Sequence, residues 1–288
     1  MSDFPLPAML ITDLDGTLLG PDGTITRPDH DGLVQLGARG IVRVIATGRS
    51  LYSFHRAVGA DLPVDYVIFS TGAGVITFPD GKLIRNIHLD ADAVASAVHV
   101  FLEHDLDFMV HRPIPDNHHF LYFDTGRENP DFHRRIDRYA GFCRRVDRTF
   151  SDYGAASQLL AVVDHVKGAS VHAELAMQLS DYSVVRSTSP LDGKSVWIEV
   201  FAPGVCKSRT AAWLADRLNI HKALVLAVGN DYNDQDLLEW SGTAFLVGNA
   251  PDALKKCFPS VASQNQGGVA EAIHRWLSDF RRPEKCSF

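Results

Sequence analysis

Five short apolar runs punctuate the chain, and each leaves into polar or glycine-rich residues: AMLITDLDGT, GIVRVIATGRS, DYVIFSTGAG, ALVLAVGNDYND and GTAFLVGNA. A run that is apolar on both faces marks a strand buried in a parallel sheet. Helical spacing falls between the runs. RPDHDGLVQLGARG and SLYSFHRAVGADL follow the first two, while KSRTAAWLADRLNI and DQDLLEWS flank the fourth. The alternation predicts an α/β fold with a doubly wound parallel sheet.

The alternation stops between the third and fourth runs. Residues 84–200 hold strand candidates of mixed polarity (DFMVHRP, HHFLYFDTG, SQLLAVVD, YSVVRSTS, SVWIEVFA) and one helix pattern, KGASVHAELAMQL. The expectation is an α+β domain inserted into a core made of residues 1–83 and 201–288. FPDGK (78–82) and FAPGVCK (201–207), punctuated by Pro and Gly, are the expected hinges.

Composition narrows the function. An apolar content of 45% and a net charge of -7 fit an ordinary globular chain and argue against binding nucleic acid or anionic membrane by bulk charge. No window is apolar enough for a membrane span, and the first residues lack a signal-peptide pattern, so the chain reads as soluble and cytoplasmic. Cys143, Cys206, Cys257 and Cys286 are scattered without a CxxC pair, which argues against a zinc site or a disulfide framework.

Ligands of such a sheet sit at the carboxyl ends of its strands, and there the polar residues concentrate. Asp13 ends the first run and Asp15 begins its loop, so both can face the crevice while Leu14 turns into the core. Two adjacent carboxylates repel unless a cation or a shared proton relieves them, and Mg²⁺, which takes oxygen ligands, would do so. DG also signals a plain turn. Thr47, in IATGRS, suits an oxyanion near a helix start or a simple N-cap. Lys207 opens a helix, where a cation opposes the dipole, and reads as either functional or solvated. Gly229 to Asp234 offer an oxygen-rich set or an Asx-rich turn.

Taken together, DLDGT, ATGR, the lysine of GVCKSRTAAWLADRL and GNDYNDQDLL resemble the four motifs of the haloacid dehalogenase (HAD) superfamily in order and spacing. The insertion resembles the C2 cap, and FLVGNAPDALKK with QNQGGVAEAI is similar to the tail of the type IIB, Cof-like branch. The resemblance implies Mg²⁺-dependent phosphoryl transfer, with Asp13 the nucleophile that forms an aspartyl-phosphate and Asp15 the acid and base. It implies that Thr47 and Lys207 bind the phosphoryl group, and that Gly48, Arg49, Thr71 and Gly72 lie on the substrate side. The implied metal ligands are Asp13, the Asp15 carbonyl, Asn230 and Asp234, with Asp234 alternatively pairing with Lys207. Two departures stand out. Asn230 replaces the first aspartate of Gly-Asp-x-x-Asn-Asp, with Asp231 a weaker candidate to substitute, and Thr71-Gly72-Ala73 replaces Asn-Gly-Ala.

The expected activity is a phosphatase for a small phosphorylated metabolite, a sugar phosphate or a phosphoglycerate-type compound. A phosphomutase and a catalytically weakened binding or regulatory protein are the alternatives. Small metabolite is the expected partner, with no nucleic acid or membrane, and the chain is expected to be a monomer or homodimer. In the insertion, FHRRIDRYAGFCRRVDR carries six arginines. They read as a solvated face, with Arg134 and Arg138, or Arg144 and Arg148, four apart on a helix, or as a receptor for a second anionic group. His118 and His119, on a candidate strand, would face opposite ways and make a poor metal pair.

Overall fold

The computed structural model describes residues 7–279; Cys286 and the opening MSDFPL lie outside them. β1 (Met9–Thr12) is buried along its whole length, as its unbroken apolar run requires. α1 (Arg27–Ala38) follows, started by Thr26, whose hydroxyl accepts the Asp29 amide. Next come β2 (Val42–Ala46), α2 (Leu51–Ala57), capped by Ser50, and β3 (Tyr66–Phe69). β4 (Gly74–Thr77) and β5 (Leu83–Asn86) then fold back as an antiparallel hairpin on the sheet edge. FPDGK is therefore the turn of that hairpin and not a hinge. The first sheet runs to Asn86, and the chain leaves it only after that residue.

The inserted segment contributes α3 (Ala91–Glu103), β6 (Phe108–His111), β7 (Phe120–Phe123), α4 (Pro130–Arg138) and β8 (Cys143–Arg145). It continues with β9 (Gln158–Val163), α5 (His165–Gln178), β10 (Ser183–Thr188) and β11 (Val196–Phe201). These strands form a second sheet in the order β10-β11-β9-β6-β7-β8, antiparallel except for the β7–β8 pair. One face packs on Phe101 of α3 and Leu175 of α5; the other packs on Phe132 of α4. Arg144 lies in β8 and Arg148 beyond it, so those two do not share a helix face, whereas Arg134 and Arg138 do. His118 and His119 precede β7 in a turn instead of alternating along a strand.

The chain re-enters the first layer through α6 (Lys207–Arg217), β12 (Val225–Gly229), α7 (Gln235–Trp240), β13 (Thr243–Leu246), α8 (Asp252–Lys255) and α9 (Gly268–Asp279). The first sheet has the order β13-β12-β1-β2-β3-β4-β5, and its first five members are parallel. Strand order reverses between β1 and β12, which opens the ligand crevice at their carboxyl ends. Leu33 and Leu36 of α1 and Ile273 and Trp276 of α9 cover one face of the sheet; Leu214 of α6 and Leu237 of α7 cover the other. Burying each such side chain contributes about 1.5–3 kcal/mol. No helix of the described residues is long and apolar enough to cross a membrane.

After β3 the backbone passes through three positive φ values, at Ser70 (47°), Thr71 (56°) and Gly72 (111°). Gly72 also slides past the start of α6, and a Cβ there would sit 2.7 Å from the Cys206 carbonyl oxygen and 2.7 Å from Thr210 Oγ1. Thr210 Oγ1 instead donates to the Gly72 carbonyl at 3.0 Å. Gly72→Ala should therefore cost about 1–3 kcal/mol, read as a lower urea midpoint. An unchanged midpoint would show that the loop yields without strain.

Candidate active site

Asp13 follows β1 at the point of strand reversal, with its amide bonded to the Val228 carbonyl at 2.9 Å. Lys207, the first residue of α6, has no solvent exposure. Its Nζ lies 2.6 Å from Asp13 Oδ1 and 2.6 Å from Asp234 Oδ1, so the lysine is paired and not solvated. Burial opposes the charge on Lys207, but the two carboxylates outweigh it and hold its pKa above the ordinary lysine value. Burial drives the Asp13 carboxyl up, to about 7, against the pull of Lys207 and with Asp234 and Asp15 adding to the rise. The other Asp234 oxygen, Oδ2, accepts the amides of Asn230 (2.8 Å) and Asp231 (3.1 Å). Asp234 thus braces both Lys207 and the loop after β12.

Asn230 closes a second cluster. Its Oδ1 accepts Thr17 Oγ1 at 3.1 Å, and the same atom lies 3.3 Å from Asp13 Oδ2 and 3.2 Å from the Asp15 carbonyl oxygen. Gly16, at φ +74°, lets the β1 loop approach so closely, since a Cβ there would stand 2.6 Å from Asn230 Nδ2. With the amide turned over, Nδ2 donates to Thr17 Oγ1, Asp13 Oδ2 and the Asp15 carbonyl, and this orientation satisfies the cluster; a cation between the carboxylate and the carbonyl would instead take the amide oxygen. Among the described residues no three His, Cys, Asp or Glu side chains gather as a metal group. A mixed oxygen set with one carboxylate is nevertheless what Mg²⁺ takes when phosphate and water complete its shell.

Arg49 grips Asp15 with both arms of its guanidinium, Nε to Oδ2 at 2.8 Å and Nη2 to Oδ1 at 2.6 Å, and is itself held by Ser53. Burial opposes the Arg49 charge, and the Asp15 contact restores and raises its pKa. Thr47 is fully buried, with its hydroxyl accepting the Arg49 amide at 3.1 Å. The Thr71 hydroxyl is buried without a partner and lies 3.6 Å from the point where a Gly48 side chain would begin. Gly48 and Gly72 contribute backbone close to these groups and no side-chain contact of their own.

The second sheet roofs this edge. Asn117 Nδ2 donates to Ser70 Oγ at 2.8 Å. Asp231 accepts Thr188 of β10 twice, from its amide at 2.7 Å and its hydroxyl at 3.2 Å, so its carboxylate is spent on the inserted segment. Arg186 stacks over Tyr232 at 4.1 Å, and Tyr52 of α2 stacks on His118 with ring centroids 4.5 Å apart. Burial, with Arg135 adding, keeps His111 neutral and lowers its pKa to about 3, while its Nδ1 meets the Asn117 carbonyl at 2.8 Å. Glu199 accepts Gln158 at 3.0 Å, and burial raises its pKa to about 7 against Arg135 and Lys207. The motif reading does not single out Ser70, His111, Asn117, Gln158, Thr188 or Glu199. The available signal is one polar residue set inside an apolar strand run, as in SQLLAVVD and SVWIEVFA. A separate cavity of about 360 Å³, lined by Arg112, Phe120, Phe142, Arg144 and Tyr153 among others, runs along β6 to β8; no motif residue lines it.

Removing the lysine tests these electrostatics. In EDTA, Lys207→Met should lose about 3–5 kcal/mol, because two buried carboxylates are left facing each other. The folded-state pKa of Asp13, already raised by burial, then rises further, so the folded state gains protons and its stability falls with increasing pH. The Tm deficit should accordingly widen between about pH 5 and about pH 8. A deficit that narrows over that window would mean that the carboxylates do not depend on Lys207.

Comparison with known proteins agrees with this geometry. A family model described as haloacid dehalogenase-like hydrolase matches residues 10–273. An HMP-PP phosphatase from Escherichia coli is 27% identical over 92% of this chain and 94% of its own. A phosphatase of the haloalkanoate (HAD) superfamily from Bacteroides thetaiotaomicron is 21% identical and superposes with a TM-score of 0.74, over 96% of this chain and 99% of that one. A HAD subclass IIB sugar phosphatase does so with a TM-score of 0.74 at 16% identity, over 94% and 99%. At such identity the two structures speak for the fold, and the family model spans nearly all of the described residues. The chain therefore belongs to the haloacid dehalogenase-like hydrolases, with the fold of a Rossmann-like core roofed by an inserted α+β cap.

Proposed function

We propose that this hydrolase is a Mg²⁺-dependent phosphatase that cleaves a small phosphorylated metabolite through an aspartyl-phosphate on Asp13. The observation that supports it best is the division of the Asp13 carboxylate, with Oδ1 on the Lys207 ammonium and Oδ2 beside the Asn230 amide, which also reaches the Asp15 carbonyl. Asp13, the Asp15 carbonyl and the Asn230 amide oxygen would hold the ion, which when bound supplies positive charge to Asp13 and to the transferring phosphoryl group. Asp234 serves Lys207 and the loop amides, and Asp231 serves the cap, so neither is assigned to the metal.

On this reading the Asp13 carboxylate attacks phosphorus in line with the ester oxygen, and the bond from phosphorus to that oxygen breaks. Asp15 protonates the departing oxygen. It then removes a proton from water, whose oxygen attacks phosphorus, and cleavage of the aspartyl-phosphate bond restores Asp13 and releases phosphate. Both Asp15 oxygens are occupied by Arg49 in the structure. Asp15 therefore swings one oxygen out of the fork to deliver its proton, while Arg49 keeps it within reach. Lys207 Nζ and the Thr47 hydroxyl hold the phosphoryl oxygens and stabilise the charge spread over them in the transition state. The cap contacts through Asn117 and Thr188 exclude bulk water and place cap side chains over the leaving group.

Release of phosphate from p-nitrophenyl phosphate tests the reaction. It should require Mg²⁺ and fall by at least about a thousandfold in Asp13→Asn, an amide being a poor nucleophile, with far-UV circular dichroism unchanged. Normal turnover by the folded variant would end the mechanism. Asn230→Asp should lower the Mg²⁺ concentration for half-activation, since a charged oxygen replaces a neutral one. An unchanged titration would remove Asn230 from the metal site.

A further inference from the structure

Of the six arginines between Arg134 and Arg148, the structure treats one differently. Arg134 donates to the Leu191 carbonyl, Arg145 pairs with Asp124, and Arg148 pairs with Asp105. Arg138 is exposed, and Arg144 lies over the ring of Phe150. Arg135, one residue after Arg134 on α4, turns in under the cap sheet. Its guanidinium carbon lies 4.5 Å from the Trp197 ring centre and 5.3 Å from that of Tyr139. Among the described residues it has no hydrogen-bond or ion-pair partner, and its Nε is buried and unsatisfied.

A guanidinium held by aromatic rings is fixed in orientation while its N–H edge stays free, and that edge matches a carboxylate with two parallel hydrogen bonds. Neither acidic neighbour uses it: the two oxygens of Asp131 accept Ser189 Oγ at 3.0 Å and Trp197 Nε1 at 2.8 Å. Glu199 bonds to Gln158, and its burial favours the protonated, neutral form. The position lies on the side of the cap that meets the core, because Tyr139, beneath Arg135, sits with its ring 6.4 Å from that of Tyr52 on α2, the helix that follows Arg49. A half-buried guanidinium with an unsatisfied Nε and no direct ion pair is costly unless a ligand completes it.

From this placement we infer that Arg135 is a specificity-determining receptor for an acidic group on the leaving alcohol, so that the substrate class is the phosphate ester of a hydroxy acid. The inference rests on the phosphatase reading and names its substrate. The test uses matched esters that differ only in a carboxylate against a hydroxymethyl group: 3-phosphoglycerate with glycerol 3-phosphate, and gluconate 6-phosphate with glucitol 6-phosphate. In at least one pair, wild-type kcat/KM should favour the acid by about tenfold or more, the size of one hydrogen bond to a charged group. Arg135→Gln should bring that ratio close to one, and Arg135→Lys should restore it only in part. Equal treatment of both members in both pairs overturns the receptor, as does an Arg135→Gln defect that scales both members alike, the signature of a structural role. Hydrolysis of p-nitrophenyl phosphate separates the two claims. Turnover of that ester without preference for either acid overturns the receptor and leaves the phosphatase standing, whereas no turnover of any ester removes both.

Discussion

The site depends on one buried ammonium. Lys207 has no exposure, opens a helix whose dipole disfavours it, and is held there by Asp13 and Asp234 at equal distances. None of the three charges could be buried alone, because an unpaired ion in the interior costs several kcal/mol. The trio joins the end of β1, the loop after β12 and the start of α6, and so closes the point of strand reversal. It also fixes where the cap segment returns, since α6 begins directly after the crossing from β11. Two carboxylates and one ammonium leave a net negative charge at the floor of the crevice. A divalent cation reverses that sign, and a phosphate dianion can then approach.

The same economy of partners explains the departures from the family motif. Asn230 in place of an aspartate keeps its side-chain amide at the point shared with Asp13 and Asp15, and gives up charge there. The adjacent Asp231 does not compensate, because Thr188 occupies it from the cap strand β10. The loop that would hold the metal is consequently tied to the roof. Asn117 makes a second tie, to Ser70 in the strained turn after β3. Position of the cap and geometry of the floor are linked through these two contacts, with the stacked pair of Tyr52 and His118 beside them.

Much of the core was legible because its signals are local. Runs apolar on both faces point to strands covered on both sides, and all five became strands of the first sheet, four of them interior and β13 at its edge. The hairpin β4–β5 escaped because Pro79 and Gly81 punctuate a reverse turn and a hinge alike. In the cap, α4 carries an Asn129-Pro130 start signal and apolar residues at Phe132, Ile136 and Tyr139. Its arginines masked the pattern, and the inward turn of Arg135 depends on the Trp197 ring that strand pairing brings from β11. Similarly, the pairing of Lys207 is set by residues 194 and 27 positions away. A charge is readable as solvated or functional only when its partners are known, and partners are a property of the fold.

The most direct measurement is chemical. The protein would be mixed with a slowly released substrate and Mg²⁺, quenched in acid, digested and analysed by mass spectrometry for a phosphoryl group on the peptide containing Asp13. The account predicts that label on Asp13, accumulating further when Asp15→Asn blocks the attack by water. Label on another residue, or turnover without any label even in Asp15→Asn, would contradict it.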